Sequence, residues 1–207
     1  MEDKISGISL KNELIRKSIH LSSSVIPFSY FFLDRKTEII ILSVFTFLMI
    51  TVDLLRLKNK TIKGLYLKIL GPILRRHETE NGRELFTGGT YIVVAYLICV
   101  IIFPQPLAIM AMLVIIFCDS AAAITGKVYG KHFIGNKTIE GSLAFFITGV
   151  IIVFVTPKLT GSSNEYFVGI AAVLLTTIFE LLPLKIDDNI SIPVFFGLVY
   201  LGLVSMV

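Results

Sequence analysis

A chain of 207 residues that is 55% hydrophobic and only 16% charged has too little polar surface to cover a water-soluble globule, and its mean hydropathy of +0.84 puts it in the membrane class. The net charge of +4 does not point to nucleic acid, because the basic residues lie between apolar runs and form no tail. Cys99 and Cys118 both sit inside apolar runs and read as small hydrophobes, so they identify no redox compartment.

The first apolar run, 18–33, follows Lys4, Lys11, Arg16 and Lys17. That lead superficially resembles a signal peptide, but it is long, contains acids and is followed by no small-residue cleavage site, so a retained helix is expected. Charge-poor runs predict further helices at 38–52, 85–103, 105–125, 139–156, 166–182 and 190–207, giving about seven spans in one domain, an all-α integral membrane protein. Their continuous apolarity lacks the period-two alternation of a membrane β-barrel. Between the second and third spans, 53–84 carries Leu65, Tyr66, Ile69, Leu70, Ile73 and Leu74 at helical spacing, with Lys63, Lys68 and Arg75 elsewhere. This pattern predicts an amphipathic helix on the membrane surface, kinked or ended by Pro72. Sixteen of the Lys and Arg residues outside the spans fall on the N-terminal side and three on the other, so the N-terminus is expected in the cytoplasm.

With that orientation the unusual polar residues gather on the cytoplasmic side. Glu13, Arg16 and His20 share one helical face entering the first span, with Lys17 beside them; Asp53 and Arg56 close the second; Arg83, Glu84 and Thr87 open the third. Asp119 and Glu180 lie in the inner halves of the fourth and sixth spans, where an ionisable group needs a partner or a watery cavity, so each is either one half of an interhelical ion pair or a functional group. The outer halves offer no matching polar set, which disfavours an ion-coupled transporter with its site at mid-membrane.

From 118 to 144 the chain reads CDSAAAITGKVYGKHFIGNKTIEGSLA. Ala122, Ala123, Gly126 and Gly130 allow close approach, either of a neighbouring helix or of a phosphate to backbone N–H groups. Lys127, Lys131 and Lys137 supply positive charge, and Thr138, Glu140 and Ser142 stand at a helix N-terminus suited to phosphate oxygens. Gly130 to Gly135 followed by Lys137 and Thr138 approaches a Walker A loop, but Asn136 intervenes and no strand is expected before it. The N-x-S/T triplets at Asn59, Asn136 and Asn189 face the cytoplasm, so glycosylation is the wrong reading for them. Lysines and carboxylates around one cavity suit a nucleoside triphosphate with a divalent cation, with a lipid hydroxyl reaching the site laterally.

These residues resemble the dolichol kinase, phytol kinase and CTP-dependent diacylglycerol kinase family. The likeness rests on ELIRKSIH (13–20), ELFTGGTY (84–91), the block from 119 to 144, and ELLPLKIDDNISIPVFFG (180–197). The resemblance implies transfer of the γ-phosphoryl group of CTP, with Mg²⁺ or another divalent cation, to the hydroxyl of a membrane lipid: a polyprenol, a prenyl alcohol or diacylglycerol. By position, Asp119, Gly126, Gly130, Lys137, Thr138, Glu140, Gly141 and Ser142 match the central motif, Asp187, Asp188 and Asn189 the later one, and Arg16, Lys17 and His20 the first. Asp119 with Asp187 or Asp188 is expected to hold metal or to supply the base, for which His20 is an alternative; Lys131 and Lys137 neutralise phosphates. Cys118 stands where the family leads one to expect a glycine, and the shortness of the chain suggests a minimal prokaryotic version. A CTP:phosphatidate cytidylyltransferase, which attacks the α-phosphorus, would use much the same ingredients.

Overall fold

The computed structural model describes residues 10–70, 85–183 and 186–206. Lys4, Pro72, Ile73, Leu74, Arg75, Arg83 and Glu84, all invoked from sequence, lie outside the described residues. The chain order is α1 (Leu10–Ser22), α2 (Val25–Tyr30), α3 (Arg35–Lys58), α4 (Lys60–Leu70), α5 (Gly88–Ile102), α6 (Gln105–Tyr129), β1 (Phe133–Ile134), β2 (Lys137–Thr138), α7 (Ile139–Val155), α8 (Asn164–Glu180) and α9 (Asp188–Val204). The helical architecture is the one expected, and α3 and α6 are long and apolar enough to cross a membrane, with α5, α7 and α9 as shorter apolar helices.

Two expectations need correction. The run 18–33 is not one helix. Ser22 and Ser23 turn their hydroxyls back onto the carbonyls of Ile19 and His20, at 2.7 and 2.6 Å, and Pro27 has no N–H to continue the ladder, so α1 stops and α2 restarts two residues on. The chain also contains a short antiparallel hairpin, in which Phe133 pairs with Thr138 and Ile134 with Lys137 across Gly135–Asn136. Gly135 has φ +60°, which only a glycine adopts cheaply in so tight a turn.

Helix α6 is the axis of the bundle. Every residue from Leu107 to Ile116 is buried, as expected of a helix that is apolar all round. Five of its residues, Val114–Cys118, form a π-helical turn immediately before Asp119. By contrast α3 leaves Ile40, Ile41, Val44, Phe45, Phe47, Leu48 and Val52 exposed while burying Glu38, Leu42, Thr46, Asp53 and Arg56 on the face it turns to α5. That outward apolar surface is what a bilayer covers. Helices α7 and α8 approach closely because each places a glycine opposite the other's valine. A Cβ on Gly149 would lie 2.5 Å from Val173, and one on Gly169 would lie 2.5 Å from Val153.

Candidate active site

The site forms where α1, the C-terminal half of α6, the hairpin and the facing ends of α8 and α9 meet. On one wall, α1 turns Glu13, Lys17 and His20 inward, three positions on one helical stripe, and all three are buried. Lys17 Nζ donates to Asp119 Oδ2, and His20 Nδ1 stands 3.5 Å from the same oxygen. Arg16 Nη2 bonds Glu13 Oε1 at 2.5 Å. Lys17 is only 1% exposed, so its ammonium depends on Asp119 for neutralisation, while the Asp119 side chain keeps 25% of its surface accessible. The Asp119 carboxylate is therefore the open end of this wall.

The opposite wall is organised by Lys137. Its Nζ lies 2.7 Å from Glu180 Oε1 and 3.1 Å from Asp188 Oδ2, and also donates to the Glu180 backbone carbonyl, a bare acceptor at the C-terminus of α8. Burial pulls the Lys137 ammonium down, but the Glu180 and Asp188 carboxylates more than offset that and leave it above its ordinary value. Asp187 caps α9, with its Oδ1 accepting from the Asn189 backbone N–H at 2.9 Å and from Asn189 Nδ2 at 2.6 Å.

Small residues bring the two walls together. Gly141, in the first turn of α7, sits against Ala122 and Gly126 of α6, with its Cβ position 2.9 Å from the Ala122 carbonyl oxygen. At Gly130 a Cβ would stand 2.1 Å from the Gly126 carbonyl oxygen and 2.6 Å from Thr138 Cγ2. These glycines therefore let a helix and a hairpin approach, the first of the two uses their sequence left open. Ala122 is one helical turn from Asp119, so this packing sets the Asp119 end of α6 against α7, and the Asp119 charge acts on Glu180.

Thr138, expected at a phosphate, is buried and caps α7, its Oγ1 accepting from the Gly141 N–H at 3.1 Å. Ser142 is buried in the same turn, with no hydrogen-bond partner for its Oγ among the described residues. Glu140 pairs with His132 at 2.7 Å on the exposed edge of the hairpin; Lys131 is exposed beside it and Lys127 is half-buried on α6. The structure thus brings Lys17, His20, Asp119, Lys137, Asp188 and Glu180 together and leaves the Lys131–Glu140 edge outside that group. Glu180 has a larger part than its sequence position conveyed; the signal was an acid ending an otherwise apolar run. His132 gave no signal.

Among the described residues no three His, Cys, Asp or Glu side chains could hold a metal ion by themselves. The donors fit a hard cation of the kind that takes only one or two carboxylates beside phosphates and water: Asp119 and Asp188 are accessible, and Glu180 Oε2 is buried with no hydrogen-bond partner among the described residues. Two buried acids sit at the far end of the bundle, where none was expected. The Glu38 carboxylate has no hydrogen-bond partner among the described residues. Glu165 is tied to the backbone N–H groups of Leu159 and Thr160, the Thr160 hydroxyl and the Tyr200 hydroxyl. They sit on different helices, and among the described residues neither forms an ion pair with a lysine.

No family model matches the chain, and no solved structure matches it. It is 31% identical over 110 residues to a CTP-dependent diacylglycerol kinase of Schizosaccharomyces pombe, covering 51% of this chain and 48% of that one. Over 147 residues it is 25% identical to a protein of the same name from Eremothecium gossypii, covering 68% and 45%. An uncharacterised protein of Rickettsia prowazekii is 28% identical over 180 residues, 86% of this chain and 88% of that one. This chain spans about half the length of the two kinases it resembles. Together with the apolar helices, the likeness supports a membrane protein.

Proposed function

We propose that the chain is a CTP-dependent lipid kinase that transfers the γ-phosphoryl group to the hydroxyl of a membrane lipid, with diacylglycerol the acceptor that the names of its relatives favour. The observation that carries this reading is the meeting of two lysine–carboxylate walls, Lys17 with Asp119 and Lys137 with Glu180 and Asp188, at one end of an apolar bundle. Phosphoryl transfer asks a protein mainly for positioning and for neutralisation of charge on phosphate oxygens. Lys137, held in place by two acids and a carbonyl, is positioned for that work. His20 presents an Nε2 with no hydrogen-bond partner among the described residues, while its Nδ1 faces Asp119. In this reading it takes the proton of the acceptor hydroxyl, and Asp119 fixes the ring. A divalent cation, Mg²⁺ by the chemistry of the donors, would be held by Asp119 and Asp188 and would supply charge neutralisation at the phosphates.

In the same reading the chain crosses a prokaryotic cell membrane seven times, with α1 and α2 together forming the first span. The N-terminus, α4, the hairpin and the segment before α9 lie in the cytoplasm. The excess of Lys and Arg on that side supports the orientation. The test is incubation of the purified protein with CTP and, in turn, diacylglycerol and prenyl alcohols. CDP and a phosphorylated lipid are expected. Pyrophosphate and a CDP-lipid from phosphatidate would instead make it a cytidylyltransferase.

A further inference from the structure

Among the described residues of the site, each carboxylate suited to a divalent cation is engaged by, or shares its wall with, an ammonium group of the chain itself. Asp119 holds Lys17 on one wall; Glu180 and Asp188 hold Lys137 on the other. Resting on the nucleotide reading above, we infer that Lys17 and Lys137 are resident counterions, and that the site admits a divalent cation only together with the triphosphate that draws their ammonium groups away.

A lone cation arriving at Asp119 must displace the Lys17 ammonium, which is 1% exposed and would be left buried without a partner. On the other wall it meets Lys137, already fixed by a carbonyl and two acids, and among the described residues no third carboxylate close enough to complete a cage. A lone triphosphate fares no better, since its negative charge faces Asp119, Glu180 and Asp188 with the lysines still committed to them. The two together resolve both conflicts: phosphate oxygens take the ammonium groups and the cation takes the carboxylates, so no buried charge is left unpaired at any point of the exchange. Glu180 belongs to this exchange through its Oε2, which no described group occupies.

The test is titration of the full chain in nanodiscs with Mn²⁺ alone, followed by electron paramagnetic resonance of the free ion. Wild type is expected to take up no tightly held Mn²⁺, whereas Lys137→Met and Lys17→Met, each freeing one wall, bind it at least about tenfold more tightly. Lys137→Arg, which keeps the charge and reports whether the fold tolerates a change there, behaves as wild type. Adding Glu180→Gln to Lys137→Met removes the gain. Tight Mn²⁺ binding by the wild type, or no gain in either methionine variant, overturns the inference and leaves phosphoryl transfer standing, because no nucleotide enters this arm. In a second arm, absence of Mn²⁺ uptake by the wild type with CTP, ATP or GTP present removes the nucleotide reading and the inference with it.

Discussion

Asp119 faces a lysine and a histidine through one oxygen, and the two do different things: Lys17 sits buried as its counterion, while His20 keeps a ring nitrogen for other work. Asp119→Asn is therefore expected to lower kcat by at least about a hundredfold, and also to lower the melting temperature, because Lys17 loses its neutralising partner. Pairing it with Lys17→Met should restore much of the stability and none of the turnover, a split that thermal melts and the CDP-release assay read separately. Most of this wall was legible in the sequence, since Lys17 and His20 lie beside one another on α1 and an aspartate within an apolar run demands an explanation. Other roles were not legible. Thr138 and Asp187 are residue types that serve equally as helix caps or as ligand contacts, and only the backbone around them decides between those uses.

Elements decide how accurately those side chains meet. Lys137 ends its reach in the site because β2 runs directly into α7, and the Thr138 hydroxyl holds that junction. Thr138→Ala should cost about 0.5–2 kcal/mol of stability and raise the KM for CTP more than it lowers kcat, while Thr138→Ser should keep both near wild type; steady-state kinetics beside denaturant melts would show it. At the other end of the bundle Glu165 ties the 158–160 segment to α8 and, through Tyr200, to α9. Glu165→Gln is expected to lower the melting temperature, because an amide cannot accept all four of these hydrogen bonds. Hydropathy placed α5 to α9 to within about a turn but ended α3 at 52 where it runs on to Lys58, and it could not reveal the π-helical turn at Val114–Cys118, because a stretch buried on every side leaves no exposed residue to mark its period. The break after α1 was hidden for a related reason: serines count as mild in a hydropathy window, yet their hydroxyls compete for the carbonyls that a helix needs.

At the scale of the whole molecule, the apolar pattern and the asymmetry of basic residues convey the class of fold, whereas the juxtaposition of α1 with α6 joins residues about a hundred positions apart and depends on packing that no local window contains. The lengths of the helices carry a consequence of their own. Helices α5, α7 and α9 have 15, 17 and 17 residues, about 22 to 26 Å along their axes, against about 30 Å for the hydrocarbon of an ordinary bilayer. In the proposed membrane setting, a bilayer meeting so short a wall would thin around it, and the head groups of the leaflet nearer Asp119 would sink toward its level. Turnover in vesicles of short-chain phosphatidylcholine should accordingly exceed that in long-chain vesicles of equal fluidity, with no change in the affinity for CTP. By dimpling the membrane the protein would spare its acceptor most of the climb out of the hydrocarbon, and the depth of that dimple would make the thickness of the surrounding lipid a control on the rate.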